Sequence, residues 1–297
     1  MKKFIVRIAL LFLIVFAADY LIGNCLGYVA RHIIVGGQGR DNYIADVAKE
    51  DILVFGSSRA AHHYNSMMLE DSLGLSAYNC GDDGSGIILS YARLAMIKER
   101  HNPQFVIHDV CDDFDFLKGD NHKYLGKLRP HYDKEIIRPI FFSIDVTEKY
   151  KMMSHLYRYN SVFFQNVFTY LTGRANDGGE KGFRPIYAEL DKMKIKIESE
   201  EELNNDCDSL KLDYIQRFID SARESKLYFV VSPIWYGMNT ERLKPVMDIC
   251  EANGVPFVDF SNDPKYVRHD EYFSDGMHLN ARGADEFTRD LIRILHN

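Results

Sequence analysis

Three side chains have the types and placing needed for nucleophilic chemistry. The stretch FGSSRA (Phe55 to Ala60) closes a short apolar run, Ile52 to Phe55, with a glycine and two serines. Gly56 permits a sharp turn, and Ser57 and Ser58 then open the next helical pattern. A serine so placed is exposed at a sheet edge, with helix N–H groups nearby that can stabilise negative charge. An ordinary N-cap serine accounts for the same residues without any chemistry. Near the other end, Asp275 and His278 stand three residues apart in FSDGMHLNARG, just ahead of the last helical pattern. That spacing lets the carboxylate accept a hydrogen bond from one imidazole nitrogen while the other points outward as a general base.

Two further segments offer polar groups. NCGDDGSG (Asn79 to Gly86) has glycines that allow close approach of a ligand to the backbone, but Asp82 and Asp83 would repel a phosphate. It has neither a Walker lysine nor the spacing of a dinucleotide fingerprint. HDVCDDFDF (His108 to Phe116) crowds Asp109, Asp112, Asp113 and Asp115. A hard cation could bind such a cluster, and a polar loop leaving a strand would look the same.

The elements that must position these groups alternate. Ile52 to Phe55, Leu75 to Tyr78, Phe105 to Val110, Leu227 to Val231 and Val255 to Phe260 are short apolar runs that predict buried strands. Between them, Asn65 to Leu73 (ended by Gly74), Ile87 to Lys98 and Pro245 to Ala252 carry helical patterns. A last helix is expected from Ala281 to Leu295, with Asn280 as its N-cap. The pattern predicts an α/β fold: a doubly wound, flavodoxin-like, parallel five-stranded sheet sandwiched by helices. In such sheets the reactive crevice lies at the carboxyl ends of the strands, which is where the segments above fall. A stretch from about 119 to 205 breaks the rhythm and is read as a mostly helical insertion between the third and fourth strands, a lid or wall beside the active edge. It includes a loop at Asn176 to Gly182 and an acidic run at Glu198 to Asp208.

The chain opens MKKFIVRIALLFLIVFAADYLIG. Lys2, Lys3 and Arg7 form a basic flank, and Phe4 to Ile22 comes close to the about 20 apolar residues a membrane span needs. A cleaved signal peptide is the competing reading, with Val15 and Ala17 as the small residues at the cut. An uncleaved transmembrane anchor is the favoured one. Residues 1–35 then form the signal anchor and linker, with Gly36 to Asn42 as a short polar link, and residues 36–297 the exported domain. The 297-residue chain as a whole is globular in composition: 46% hydrophobic, 27% charged, net charge −7 and no basic block. This disfavours nucleic acid as a partner. The five cysteines show no metal-ligand spacing, and no disulfide pair is identifiable.

Taken in order, these segments resemble the SGNH (GDSL-like) hydrolase superfamily. FGSSRA is similar to the family's first block, Gly-Asp-Ser, with Ser57 in place of the Asp and Ser58 at the nucleophile. Gly84 matches the glycine whose N–H helps form the oxyanion hole, and Asp275 and His278 match the closing Asp-x-x-His block. The third block normally supplies an Asn that donates to the oxyanion; here Asp112 or Asp113 stands at that place, and an ionised carboxylate cannot donate. The resemblance covers roughly Asp51 to Asp115 and Lys226 to Asn297. It implies a Ser58–His278–Asp275 triad, an acyl-enzyme, and no metal or organic cofactor. It further implies an envelope esterase or O-acyltransferase acting on an acylated polysaccharide, held at the cytoplasmic membrane with its catalytic domain periplasmic or extracellular. A transferase of this kind needs a membrane-bound acyl-donor protein. Tyr132, Tyr150, Tyr157, Tyr159, Tyr170, Trp235 and Tyr236 are available to stack on sugar rings. The alternative is a non-catalytic member serving as scaffold for an export or polymer-modifying complex. A cation-dependent hydrolase using Asp109, Asp112 and Asp113 is the third reading.

Overall fold

The computed structural model describes residues 1–175, 179–195 and 206–296. The loop expected at Asn176 to Gly182 is described from residue 179 on, where Glu180 and Phe183 form an isolated bridge, and the acidic run at Glu198 to Asp208 lies outside the described residues as far as residue 205. The chain divides into two compact units, Met1–Ala45 with Asn121–Asp177, and Asp46–Asp120 with Gly178–Asn297.

The larger unit holds one parallel sheet of five strands: β1 (Ile52–Gly56), β2 (Ala77–Asn79), β3 (Phe105–Asp109), β4 (Lys226–Val231) and β5 (Phe257–Asp259). Their order across the sheet is β2-β1-β3-β4-β5. Every pairing is parallel, with Ile52 opposite both Ala77 and Phe105, and Phe229 opposite Phe257. This is the doubly wound order expected from the alternating pattern. The strands β1 and β3 are buried throughout, which is why they read as unbroken apolar runs rather than as alternations.

The helices of the chain are α1 (Lys2–Arg31), α2 (Gly36–Asp46), α3 (Ser58–His63), α4 (Ser66–Leu73), α5 (Ile87–Lys98), α6 (Asp112–Asp115), α7 (His122–Leu128), α8 (Arg138–Ile144), α9 (Glu148–Lys151), α10 (Phe163–Thr172), α11 (Ser209–Ser221), α12 (Lys244–Ala252) and α13 (Ala281–Leu295). One sheet face carries Ile52, Val54, Ile107 and Val230 into a core with Tyr64, Leu69, Phe287 and Leu291 from α3–α4 and α13. The other face sends Phe55 and His108 against Phe218 of α11, at ring-centroid distances of 5.5 and 5.2 Å. The helix ends follow the expected chemistry. Asn65 accepts from the N–H groups of Met67 and Met68, Gly74 closes α4 in the left-handed conformation, and Asn280 accepts from Gly283.

Two elements differ from the sequence expectation. The segment from Gly36 is a helix, α2, rather than a polar link. Its glycines lower helix propensity, but tertiary contacts override it. Asn42 donates to the carbonyls of Ala30 and Ile33, and a side chain at Gly39 would meet the Ile34 carbonyl carbon at 2.4 Å. The second is α11, in a region to which no element was assigned. It is capped by Asp208, which accepts from Leu210 and Lys211, and buries Lys211, Tyr214, Ile215, Phe218 and Ile219 on one face.

The smaller unit is helical. Its α1 is long and apolar enough to cross a membrane, which fits an anchor or a signal sequence. Gly23 and Gly27 are buried where α1 meets the 155–159 segment, and a Cβ on Gly23 would lie 2.3 Å from that of His155. All five cysteines are free thiols, with Cys80, Cys111 and Cys250 buried.

Candidate active site

All the side chains that form the site lie in the larger unit, at the carboxyl ends of β1, β3 and β4. Strand β1 ends at Gly56, whose φ is +135°. A Cβ there would stand 2.6 Å from the Asp109 carbonyl oxygen, so the turn is closed to other residues. The next residue, Ser57, is the N-cap of α3, and Ser58 is its first helical residue. Ser58 is only partly buried, unlike its neighbours Ser57 and Arg59.

Ser58 Oγ lies 2.8 Å from Nε2 of His278, across 220 residues of sequence. The other ring nitrogen, Nδ1, is 2.9 Å from Oδ2 and 3.1 Å from Oδ1 of Asp275. An ionised carboxylate only accepts, so Nδ1 carries the proton and Nε2 is left to accept from the serine. The Asp275 carboxylate also accepts from the N–H groups of Met277 and His278, each at 2.8 Å. Partial burial pushes this carboxyl up. The hydrogen bond and charge of His278 and the two backbone donors outweigh it and hold the acid below its ordinary range. The turn that carries the pair is braced from β4: Trp235 donates its N–H to the Gly276 carbonyl at 3.1 Å and its indole N–H to Asp270 at 3.0 Å.

Behind the serine sits a fully buried polar network. Arg59 donates to the Val110 carbonyl, and its Nε is 3.4 Å from Asp109. Asp109 accepts from the Tyr64 hydroxyl at 2.8 Å and the Ser232 N–H at 2.9 Å. Burial raises the Asp109 carboxyl, and the Arg59 charge and these donors offset part of that rise. His63 lies between the segment that carries Ser58 and the one that carries His278. Its Nε2 accepts from the Leu279 N–H at 2.9 Å, so Nδ1 bears the proton and donates to Ser232 Oγ, also at 2.9 Å. Burial, with the nearby His278, Arg59 and His62, holds this imidazole neutral, well below its usual range.

The glycine-rich turn reaches the same edge. The N–H of Asp82 donates to the Gly56 carbonyl at 3.1 Å. Asp83 lies 3.0 Å from His62 Nε2 and takes both arms of Arg184, at 2.8 and 3.1 Å. Burial would raise the Asp83 acid, but these two partners bring it down to about 2. Gly84 follows, exposed in the left-handed conformation (φ +65°), with nothing near a would-be Cβ. The 181–186 stretch lies alongside: the Lys181 carbonyl accepts from Asn79, Arg184 donates to the Ala61 carbonyl, and the Ile186 carbonyl accepts from Ala281.

At the third-block place, Asp112 is buried and bound to Arg242 at 2.7 Å, and its other oxygen accepts from the Asp113 N–H at 3.1 Å. Asp113 is exposed on α6, its carbonyl accepting from buried Lys211 at 2.8 Å. Three other side chains near this edge that could donate to an oxyanion are engaged elsewhere. Asn79 Nδ2 donates to the Ala60 and Tyr64 carbonyls, Arg59 is in the buried network, and His62 pairs with Asp83 and the Arg184 carbonyl. Asp109 and Asp112 each face an arginine, which supplies positive charge where a cation would otherwise be required. Among the described residues, one group of three metal-type ligands comes together: His122, Asp145 and Glu148. The ammonium of Lys151 lies 3.1 and 2.8 Å from its two carboxylates and pairs with both.

His63, Arg184 and Arg242 take part in the site but were not singled out from sequence, and Trp235, expected as a stacking residue, braces the turn instead. Their roles depend on partners 35 to 216 residues away.

No protein-family model and no curated protein matches the chain. Two solved structures resemble it distantly. One is a Streptococcus pneumonia protein provisionally described as a platelet activating factor: 13% identity, TM-score 0.41, 98% of each chain covered. The other is a Bacteroides fragilis NCTC 9343 protein provisionally described as an acylhydrolase: 11% identity, TM-score 0.41, 88% of this chain and 98% of that one covered. Likeness at this level says nothing about the chemistry of the present chain.

Proposed function

We propose that this protein is a membrane-tethered serine esterase or O-acyltransferase of the SGNH type, acting on acyl esters of an envelope polysaccharide. The observation that supports it is the continuous chain from Ser58 Oγ through His278 to Asp275, with bonds of 2.8 and 2.9 Å. The substrate class rests on the sequence resemblance, and the tether on the apolar α1 helix.

In this reading His278 Nε2 takes the proton of Ser58 as Oγ bonds to the ester carbonyl carbon. The carbonyl electrons move onto oxygen, and the N–H groups of Ser58 and Gly84 receive the resulting oxyanion. Collapse breaks the bond to the alcohol oxygen, which leaves with the proton from His278. The acyl-enzyme is then attacked by water or a sugar hydroxyl, deprotonated by the same imidazole, and the serine is regenerated. Asp275 keeps the imidazole in the required tautomer and stabilises its charged form.

The test is labelling by a fluorophosphonate probe, with turnover of a chromogenic acetyl ester, in wild type and in Ser58→Ala. The proposal requires labelling that the substitution abolishes. A second reading, a non-catalytic scaffold, is favoured by one observation: Asp112, paired to Arg242, stands where the third oxyanion donor is expected. It requires folded wild type to be inert to the probe and Ser58→Ala to leave polymer modification in cells unchanged.

A further inference from the structure

We infer that α10 is a second membrane contact, lying in the outer interface of the bilayer beside α1. The inference rests on the reading of α1 as a membrane anchor and is independent of the triad.

The helix is amphipathic in the reverse sense for a water-soluble surface. Its ten residues, FFQNVFTYLT, include no charge. The side chains it buries are Asn166 and Thr169, while Phe164, Phe168 and Leu171 are 78%, 60% and 75% exposed. Those three stand at i, i+4 and i+7, one stripe along the helix. Large apolar groups turned outward, with Asn166 and Thr169 turned inward, suit a lipid interface, whose headgroups also accommodate exposed Gln165 and Thr172.

The position of the stripe follows from α1. Lys2 and Lys3 suit the cytoplasmic headgroups, so the apolar span starts near Phe4. From Phe4 to Ala18 the helix rises only about 22 Å at 1.5 Å per residue, short of a hydrocarbon layer about 30 Å thick. The layer must therefore reach roughly five residues further, past Asp19 to the level of Tyr20–Asn24. Tyr20, Leu21 and Ile22 are exposed and extend the apolar surface of the helix over that range. At this level the rest of the unit already touches α1. Asp19 accepts from Ser154 Oγ and from the N–H groups of His155 and Leu156, and Gly23 packs on His155. The 155–159 segment leads directly into α10, which packs along α1, with Tyr170 and Tyr28 6.5 Å apart. Val146, Tyr150 and Met153, near the same contact, are also more than 70% exposed. The exposed surface of α1 is thus continued sideways by a collar rich in aromatic residues, the composition of a membrane–water boundary.

The test uses full-length protein reconstituted in phosphatidylcholine–phosphatidylglycerol vesicles whose phosphatidylcholine is brominated at acyl positions 6 and 7. Bromine quenches tryptophan on contact. The chain has a single tryptophan, so wild type supplies the background. Phe168→Trp and Leu171→Trp are expected to show blue-shifted emission and at least twofold more quenching than wild type. Phe12→Trp, on α1, reports the anchor in the same vesicles. Quenching of Phe12→Trp without excess quenching of either α10 variant would overturn the collar and leave the anchor standing. No quenching at any of the three sites would overturn both. A blue shift on α10 without bromine quenching would mean that a second copy covers the stripe, and would also overturn the inference.

Discussion

The backbone N–H of Leu279 donates to Nε2 of His63 across 2.9 Å, and Leu279 is the residue directly after His278. A buried neutral imidazole on the helix of Ser58 therefore fixes the segment that carries His278. The second bond of His63, to Ser232, ties both to the end of β4.

Replacing His63 with Ala removes an acceptor for a buried N–H and a partner for Ser232. The expected cost is about 2–4 kcal/mol of stability. The kcat for ester turnover should fall more than KM rises, because His278 loses its anchoring and not its chemistry. His63→Gln, which can still accept from Leu279, should recover part of kcat. Equal loss in both variants would exclude a positioning role.

The same imidazole makes stability depend on pH. In the unfolded chain it takes up a proton at about pH 6.5, whereas the folded site keeps it neutral. The unfolded state therefore binds more protons as pH falls. The stabilisation is complete above pH ~6.5 and declines below it by about 1.4 kcal/mol per pH unit for one such group. Denaturant midpoints between pH 7.5 and 5 should show this slope, and His63→Gln should flatten it.

At Asp275 the substitution to Asn removes the negative charge and puts an N–H₂ donor in place of one of the two oxygens that face His278 Nδ1, so the His278 tautomer is no longer fixed. The expected loss in kcat is roughly 10²–10⁴-fold, with the fold intact. The acid titrates below its ordinary range, so wild-type activity should not be limited by Asp275 until the pH is well under 4. A variant with near wild-type kcat would remove Asp275 from the mechanism.

Asp112 and Arg242 form a pair that either half should disturb. Arg242→Ala leaves an uncompensated, buried carboxylate at the third-block place, and kcat/KM should drop by roughly 10²-fold or more. Asp112→Asn removes that charge and adds a donor, and kcat/KM should rise. A rate that falls with Asp112→Asn would show that the acid itself is needed.

Much of this arrangement is legible in the sequence, for physical reasons that differ from element to element. β1 and β3 are covered on both faces, so Ile52–Phe55 and Phe105–Ile107 are apolar without interruption. The last helix is marked by Asn280 and a strong apolar period, and its bounds come out as expected. Asp275 and His278 are legible because three residues of turn bring them together locally. The helix α2 is hidden by its glycines, and α11 by Lys211, whose ammonium is buried on the Asp113 and Leu117 carbonyls at 2.8 and 2.5 Å. A charged residue on the inner stripe breaks the period that would have announced the helix. Arg242 shows the remaining limit: its partner Asp112 lies 130 residues away, and nothing local links them.

The 220 residues between Ser58 and His278 also impose an order in time. A ribosome delivers the hydrophobic leader first, the serine soon after, and the imidazole only with the closing helix. Until that last segment docks, the growing polypeptide has a hydroxyl without a base. If the triad acts as proposed, the nascent chain is therefore chemically silent while it is being synthesised. Any product truncated ahead of residue 278 would stay silent however well its sheet forms.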